Sequence, residues 1–292
     1  MLDIKKFQFG ADFDVKKAIQ CARVKHDEAI QNAEILLSVR EPGKLVPVCT
    51  RGNISAIIGK AKSRKTFCNT MLATALVKGS LYDKFIAARS KKLKVVYFDT
   101  EQGRGRAQRV VRRIVSMCGN SKQVDMISLR PYSTTERVEI IDHYFATEKP
   151  DFAFIDGVRD LIMDFNNLTQ ATDLMTSLMR WSEAHDCHIM CVLHMNKGDG
   201  NARGHLGSEL MNKAESVISL AMEKGSAYSS IEPVFMRDGD FEPFQFTIVD
   251  GLPVLCGFEN EVSSDKPVID INSRIEPNRD FDTNTDNGPT PF

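Results

Sequence analysis

The pattern of apolar and polar positions changes character twice along the chain. Residues 1–40 are mostly polar and charged with helix-like spacing, and Glu41-Pro42-Gly43 then breaks the run. Beyond it, short apolar or β-branched runs alternate with longer amphipathic stretches. Ile54–Ile58, Leu93–Phe98, Met126–Leu129, Phe152–Ile155 and His188–Leu193 predict strands. Lys65–Lys78, Arg104–Met117, Thr135–Thr147 and Thr169–His185 predict the helices between them. That alternation is the signature of a parallel sheet covered by helices on both faces. After the glycine-rich stretch Met195–Gly207 the rhythm changes again. Glu215–Met222, Pro233–Arg237, Phe244–Val249 and Val254–Cys256 read as strands, with Asp238-Gly239 and Asp250-Gly251 as turn dipeptides. The expected fold is therefore α/β: a mostly parallel sheet flanked by helices, with antiparallel strands added at one edge. From Ser263 onward Asp, Asn, Pro, Ser and Thr dominate, which predicts a disordered tail. The division expected is a helical segment 1–43, an α/β domain 44–258 and a tail 259–292, without internal repeats.

Composition adds limits. With 42% hydrophobic residues in 292, a large core is within reach, and 26% charged residues with a net charge of −1 are ordinary for a globular chain. No stretch is long and apolar enough to cross a bilayer, so no membrane role is expected. The first residues, MLDIKKFQFGADFDVKK, lack the apolar run of a secretion signal. Seven scattered cysteines, several within apolar runs, point to reduced buried thiols and a cytoplasmic location. Near-neutral charge leaves nucleic-acid binding open, because a few basic loops suffice for a phosphate backbone.

The chemistry begins at Gly59-Lys60-Ala61-Lys62-Ser63-Arg64-Lys65-Thr66, between a predicted strand and the helix that continues through Phe67. It follows the outline G-x-x-x-x-G-K-[ST], with Arg64 where the second glycine is expected. Backbone N–H groups and the helix N-terminus make such a loop a phosphate cradle. Lys65 is then the cation for the β- and γ-phosphates and Thr66 the hydroxyl for Mg²⁺. Glycine normally supplies unusual dihedrals there, so Arg64 must either take an ordinary conformation or carry strain. Taken alone, the segment also fits a basic surface loop.

Acidic partners follow at strand ends. Asp156 closes Phe152–Ile155, where an open α/β sheet presents ligands to its crevice, and it is the second Mg²⁺ candidate. Asp99-Thr100-Glu101-Gln102 follows the second predicted strand. Glu101 is the first candidate to orient the attacking water and Asp99 the second. The cluster Cys187, His188, Cys191 and His194 resembles a metal site only superficially, because strand alternation sends the cysteines to one face and the histidines to the other. His194 instead ends a strand ahead of a flexible loop, where it can either sense a γ-phosphate or merely cap the strand. In that loop Lys197, Arg203 and His205 are candidates for a nucleic-acid backbone. Arg237, at the end of a predicted strand, is either a surface charge or a finger reaching a neighbouring copy's ATP.

Taken in order, Gly59–Thr66, Glu101, Asp156 and His194 before a glycine-rich loop resemble the RecA-like P-loop ATPases. Within them the chain looks most like the RepA-type and DnaB-type hexameric helicase ATPases and the single-domain ATPases of bacterial mobile elements, over about residues 44–258. The resemblance implies ATP and Mg²⁺ as cofactors, Glu101 as catalytic glutamate and Asp156 as Walker B aspartate. It also implies His194 as the relay from γ-phosphate to DNA, Arg237 on the finger strand and Met195–Gly207 as the DNA-facing loop. The function it implies is ATP hydrolysis coupled to single-stranded DNA by a homo-oligomeric ring, as a helicase-type motor of replication or mobile-element transfer. The alternative is an ATP-dependent switch that assembles on DNA or a recombinase without unwinding. A P-loop kinase of small molecules fits less well, since the glycine-rich loop and edge strands stand where a lid and substrate pocket would be needed.

Overall fold

The computed structural model describes residues 14–88, 92–195 and 204–258. The chain opens with helix α1 (Val15–Ala22), capped by the Asp14 carboxylate, which accepts from the N–H groups of Lys16 and Lys17. Strands β1 (Ile35–Glu41) and β2 (Lys44–Thr50) then form an antiparallel hairpin. This corrects the expectation of a helical segment through residue 40. Ile-Leu-Leu-Ser-Val is a short, nearly continuous apolar run, all but its first residue buried, and a run of that length is a strand rather than a helix face. Pro42-Gly43 is the hairpin turn, with Gly43 at φ 75°, so a boundary at 43/44 divides a paired unit.

The rest alternates much as the pattern predicts: β3 (Ile54–Gly59), α2 (Lys65–Lys78), β4 (Ser80–Leu81), β5 (Phe85–Ala87), β6 (Val95–Asp99), α3 (Arg104–Cys118), β7 (Val124–Ser128), α4 (Thr134–Glu148) and β8 (Phe152–Asp156). A 3₁₀ turn (Val158–Leu161), α5 (Leu168–Ala184), β9 (His188–His194), α6 (Gly204–Lys213), β10 (Ser216–Ala221), β11 (Ser229–Met236), β12 (Phe244–Val249) and β13 (Leu252–Leu255) complete it. The main sheet runs β13-β12-β11-β10-β3-β9-β8-β6-β7. From β10 to β7 every pairing is parallel, and β11, β12 and β13 add antiparallel strands at one edge. A second, antiparallel sheet, β2-β1-β5-β4, had no counterpart in the sequence reading beyond residue 43.

The central strands β3, β6 and β8 are buried along their whole length, as parallel strands covered on both faces must be. Their side chains alternate between two core layers. Ile57, Val95, Tyr97, Phe152 and Phe154 join α2, α3 and the small sheet. Ile58, Val96, Phe98, Ala153 and Ile155 join α4, α5 and α6. In the second layer Trp181 stacks on Phe145 at 5.8 Å between centroids, and its indole N–H donates to Asp142 at 2.7 Å.

Candidate active site

Strand register brings the candidate residues to one edge. Gly59 pairs with Leu220 on one side and His194 on the other, while Asp156 pairs with Asp99 and Val192. The carboxyl ends of β10, β3, β9, β8 and β6 therefore lie side by side, and loops leaving them share one crevice. Gly59 is required by packing: a Cβ there would stand 2.6 Å from the Leu220 carbonyl oxygen of the neighbouring strand.

The loop from Lys60 to Arg64 turns into α2. Arg64 stands at the N-cap of α2 with φ 67° and ψ 31°, the left-handed region that glycine adopts freely. Of the two options the sequence left for it, this is the strained one. A guanidinium N–H of Arg64 donates to the Ala227 carbonyl at 2.7 Å, tying the loop to the segment before β11. Behind it the Lys65 ammonium donates to the carbonyls of Gly59 and Lys60 at 2.8 and 3.0 Å and lies 3.2 Å from His194 Nδ1. Burial lowers its pKa, against the attraction of Asp156 and Glu101.

The Thr66 hydroxyl donates to Asp156 Oδ2 at 3.2 Å, and the Tyr97 hydroxyl donates to the same oxygen. Asn69 supports Tyr97 from α2 at 3.0 Å. Burial raises the Asp156 pKa, and the hydrogen bonds from Tyr97 and Thr66 work against that rise. Glu101 Oε1 lies 3.4 Å from His194 Nε2. His194 is the main cause of a lowered Glu101 pKa, with Lys65 and Arg159 adding to it. Asp99, the second candidate base, faces inward instead. It is fully buried, its Oδ1 accepts from the N–H groups of Glu101 and Gln102 at 3.1 and 2.8 Å, and its Oδ2 has no partner. Burial pushes its carboxyl up to about 6.

Lys62–Phe67, Glu101, Asp156 and His194 line one cleft of about 360 Å³. Lys60 and Ala61 are exposed on the loop beside it. The oxygen set of Thr66 and Asp156 suits Mg²⁺, a hard cation usually held by one or two protein oxygens with waters and substrate phosphates. Among the described residues no cluster of three or more His, Cys, Asp or Glu could hold a metal by itself. The cleft also holds Gln102, Arg106, Arg109, Val110 and Arg113, which the sequence reading left unassigned. The signal was there in the basic helix Arg104–Met117, whose arginines at 106, 109 and 113 recur at helical spacing on one face.

Other candidates lie elsewhere. The Arg237 N–H donates to the Glu215 carbonyl at 3.0 Å, and the Arg237 side chain stands near Thr50 and Glu215. That is the amino end of β10, opposite the cleft. His205 is exposed in the first turn of α6. The expected loop through Gly207 is shorter than predicted, because Leu206 and Leu210 bury one face of that helix despite its glycines. Lys197 and Arg203, like the expected tail 259–292, lie outside the described residues.

Residues 29–200 match the family model described as "AAA domain", more than half of the chain. The chain belongs to this AAA domain family. It is accordingly a P-loop ATPase domain. The solved structure of a helicase ATPase domain resembles this AAA domain with a TM-score of 0.52 at 13% identity, covering 69% of this chain and 84% of that one. At that identity the likeness speaks to fold, and it matches the RecA-like architecture described above. No curated protein matches the chain by sequence. No helix among the described residues is long and apolar enough to cross a membrane.

Proposed function

We propose that this AAA domain binds ATP·Mg²⁺ in the cleft above β3, β8 and β6 and couples its hydrolysis to single-stranded DNA. One observation carries the reading: Lys65, Thr66, Asp156, Glu101 and His194, from four separate strand ends, share a single cleft. Lys65 neutralises the β- and γ-phosphates, while Thr66 and Asp156 hold the Mg²⁺, which when bound offsets charge on the bridging phosphate oxygens. Glu101, kept ionised by His194, orients water in line with the γ-phosphorus and accepts its proton or passes it to solvent. His194 touches both Lys65 and Glu101 and leads into the segment carrying Lys197 and Arg203. It is the natural relay between phosphate and DNA. The resemblance to hexameric helicase ATPases supports a homo-oligomeric ring in the cytoplasm acting in replication or mobile-element transfer. Arg237, remote from its own chain's cleft, would then serve a neighbouring copy.

The test compares ATP turnover with and without single-stranded DNA, alongside the mass of the assembly in solution. Lys65→Ala and Glu101→Gln should each abolish most turnover, and DNA should stimulate the wild type. Wild-type turnover in either variant removes the site assignment, and indifference to every nucleic acid removes the coupling.

One observation favours the switch reading. The His194 contact lowers the Glu101 pKa, and a weaker base accepts a proton less readily. Slow turnover with ATP-dependent assembly on DNA and no strand displacement would select it over the motor.

A further inference from the structure

The cleft is far more basic than a bound nucleotide's cradle alone accounts for. Six cationic side chains line it, namely Lys62, Arg64, Lys65, Arg106, Arg109 and Arg113, against the carboxylates of Glu101 and Asp156. Three of the six come from the same face of α3, at spacings of three and four residues, across the cleft from the phosphate loop.

Arg113 is the most constrained of them. Its guanidinium lies 4.2 Å from the centroid of the Phe67 ring, the residue next to Thr66. Its Nε is buried and has no hydrogen-bond partner among the described residues. No carboxylate reaches ion-pair distance of Arg106, Arg109 or Arg113 among those residues, whereas Arg51, Lys84 and Lys94 all have such partners. The charged neighbours that do influence Arg113 are the Tyr97 phenol, which holds Asp156, and the like charge of Arg109. Burial and that repulsion together lower its pKa. A partly desolvated arginine beside another arginine, without an acid, is costly in the free protein. An anion placed between α3 and the phosphate loop removes the cost.

We infer that Arg113 and Arg109 form an anion site for the terminal phosphate of the nucleotide, supplied by the same chain that supplies the phosphate loop. The assignment rests on the ATP reading above and adds a specific consequence. Arg113 touches Phe67, beside the Thr66–Asp156 pair, and so stands on the γ-phosphate side of the cleft near Glu101. A fixed guanidinium offers paired N–H donors to phosphate oxygens. ADP lacks the group these donors bind, so the arginines discriminate ATP from ADP without help from a neighbour. Arg237 lies at the other end of the sheet and cannot supply this within one chain.

The experiment measures the affinity of fluorescent ATPγS and ADP for the full chain and its variants. Arg113→Met keeps a long side chain over Phe67 without the charge, and Arg109→Ala removes the second guanidinium. Each should weaken ATPγS binding about ten- to a hundredfold, the effect of charged hydrogen bonds, with ADP affinity little changed. Lys65→Ala should weaken both nucleotides. Mixing Arg113→Met with Lys65→Ala protein should restore no turnover, because both groups must belong to one chain. Melting curves identify any variant that has failed to fold, and Arg113→Lys, which keeps the charge, then serves as the milder probe with partial loss expected.

An unchanged ratio of ATPγS to ADP affinity in folded Arg113→Met and Arg109→Ala overturns the assignment while leaving the ATPase reading intact. Recovery of turnover on mixing overturns the claim of a same-chain site. Loss of single-stranded DNA binding with that ratio unchanged assigns the arginines to the DNA backbone instead and equally refutes the inference. A wild-type protein that binds neither nucleotide defeats the ATP reading itself, and this assignment with it.

Discussion

Replacing Arg64 by glycine isolates the energetic contribution of one backbone conformation in the phosphate loop. Arg64 holds φ 67° and ψ 31°, which costs a residue with a Cβ about 1–2 kcal/mol relative to the right-handed region. Glycine removes that cost. It also frees the unfolded chain, which subtracts about 0.4–1 kcal/mol. The bond from the guanidinium to the Ala227 carbonyl is lost too, at about 0.5–1.5 kcal/mol and nearer the low end because it is exposed. The opposing contributions nearly cancel, so Arg64→Gly should unfold within about 1 kcal/mol of wild type. Arg64→Ala loses the same bond and keeps the strain, so it should be less stable than Arg64→Gly by about 1 kcal/mol. Urea denaturation of the three proteins resolves this as a displaced midpoint at constant slope. Nucleotide affinity of the glycine variant should equal or exceed that of wild type. An alanine variant as stable as the glycine variant would refute the strain argument. A large loss of turnover in Arg64→Gly with affinity intact would show that the side chain has a role in hydrolysis.

Three further outcomes follow from buried groups. Asp99 has its pKa raised from 3.8 to about 6, so its cost to folding grows as pH rises through that window and is complete above it. Asp99→Asn should therefore gain about 2 kcal/mol at pH 7.5 and almost nothing at pH 4, with turnover retained; a gain independent of pH in denaturation curves would contradict this. His188 is fully buried, with Nδ1 2.8 Å from the Thr50 carbonyl, and burial pushes it down from 6.5 to about 4. Its neutral form then contributes fully above pH 6.5, and about 3 kcal/mol is lost as pH falls to 4; His188→Gln should flatten that part of the stability profile. Gly157 has φ 100°, and a Cβ there would meet the Thr100 hydroxyl and stand 2.9 Å from Glu101 Cγ. Gly157→Ala should cost about 2–3 kcal/mol and displace Glu101, lowering turnover beyond what melting predicts; full activity would show that the turn yields easily.

The alternation of strands and helices was legible because each central strand is a short run buried on both faces and each helix has one apolar stripe. Lys65–Lys78 and Phe244–Val249 fall within their predicted limits for that reason. The hairpin β1–β2 was hidden by an order of residues that fits either element: Ile35–Val39 reads as a helix segment until its partner strand is known. The first turn of α6 was hidden by Gly204 and Gly207, which suggested a loop although Leu206 and Leu210 set a helical face. Within the site, Lys65, Thr66, Glu101, Asp156 and His194 could be named because strand ends in a parallel sheet converge. The arginines of α3 could not, because their approach to Phe67 depends on how α3 packs on α2, which no local pattern encodes. Asp99 and Glu101 were likewise separable only by direction: one turns into the core and the other into the cleft.

The single tryptophan of the chain gives the molecule an intrinsic optical probe with a known address. Trp181 is enclosed with Phe145 in the layer built by α4, α5 and α6, while the cleft opens on the layer of α2 and α3. Its emission reports on one side of the sheet only. Unfolding followed by that emission and by far-ultraviolet circular dichroism, which averages over both layers, should give one coincident transition if the sheet couples them. Two separated transitions would mean that the layer bearing the arginines can open while its opposite number stays packed.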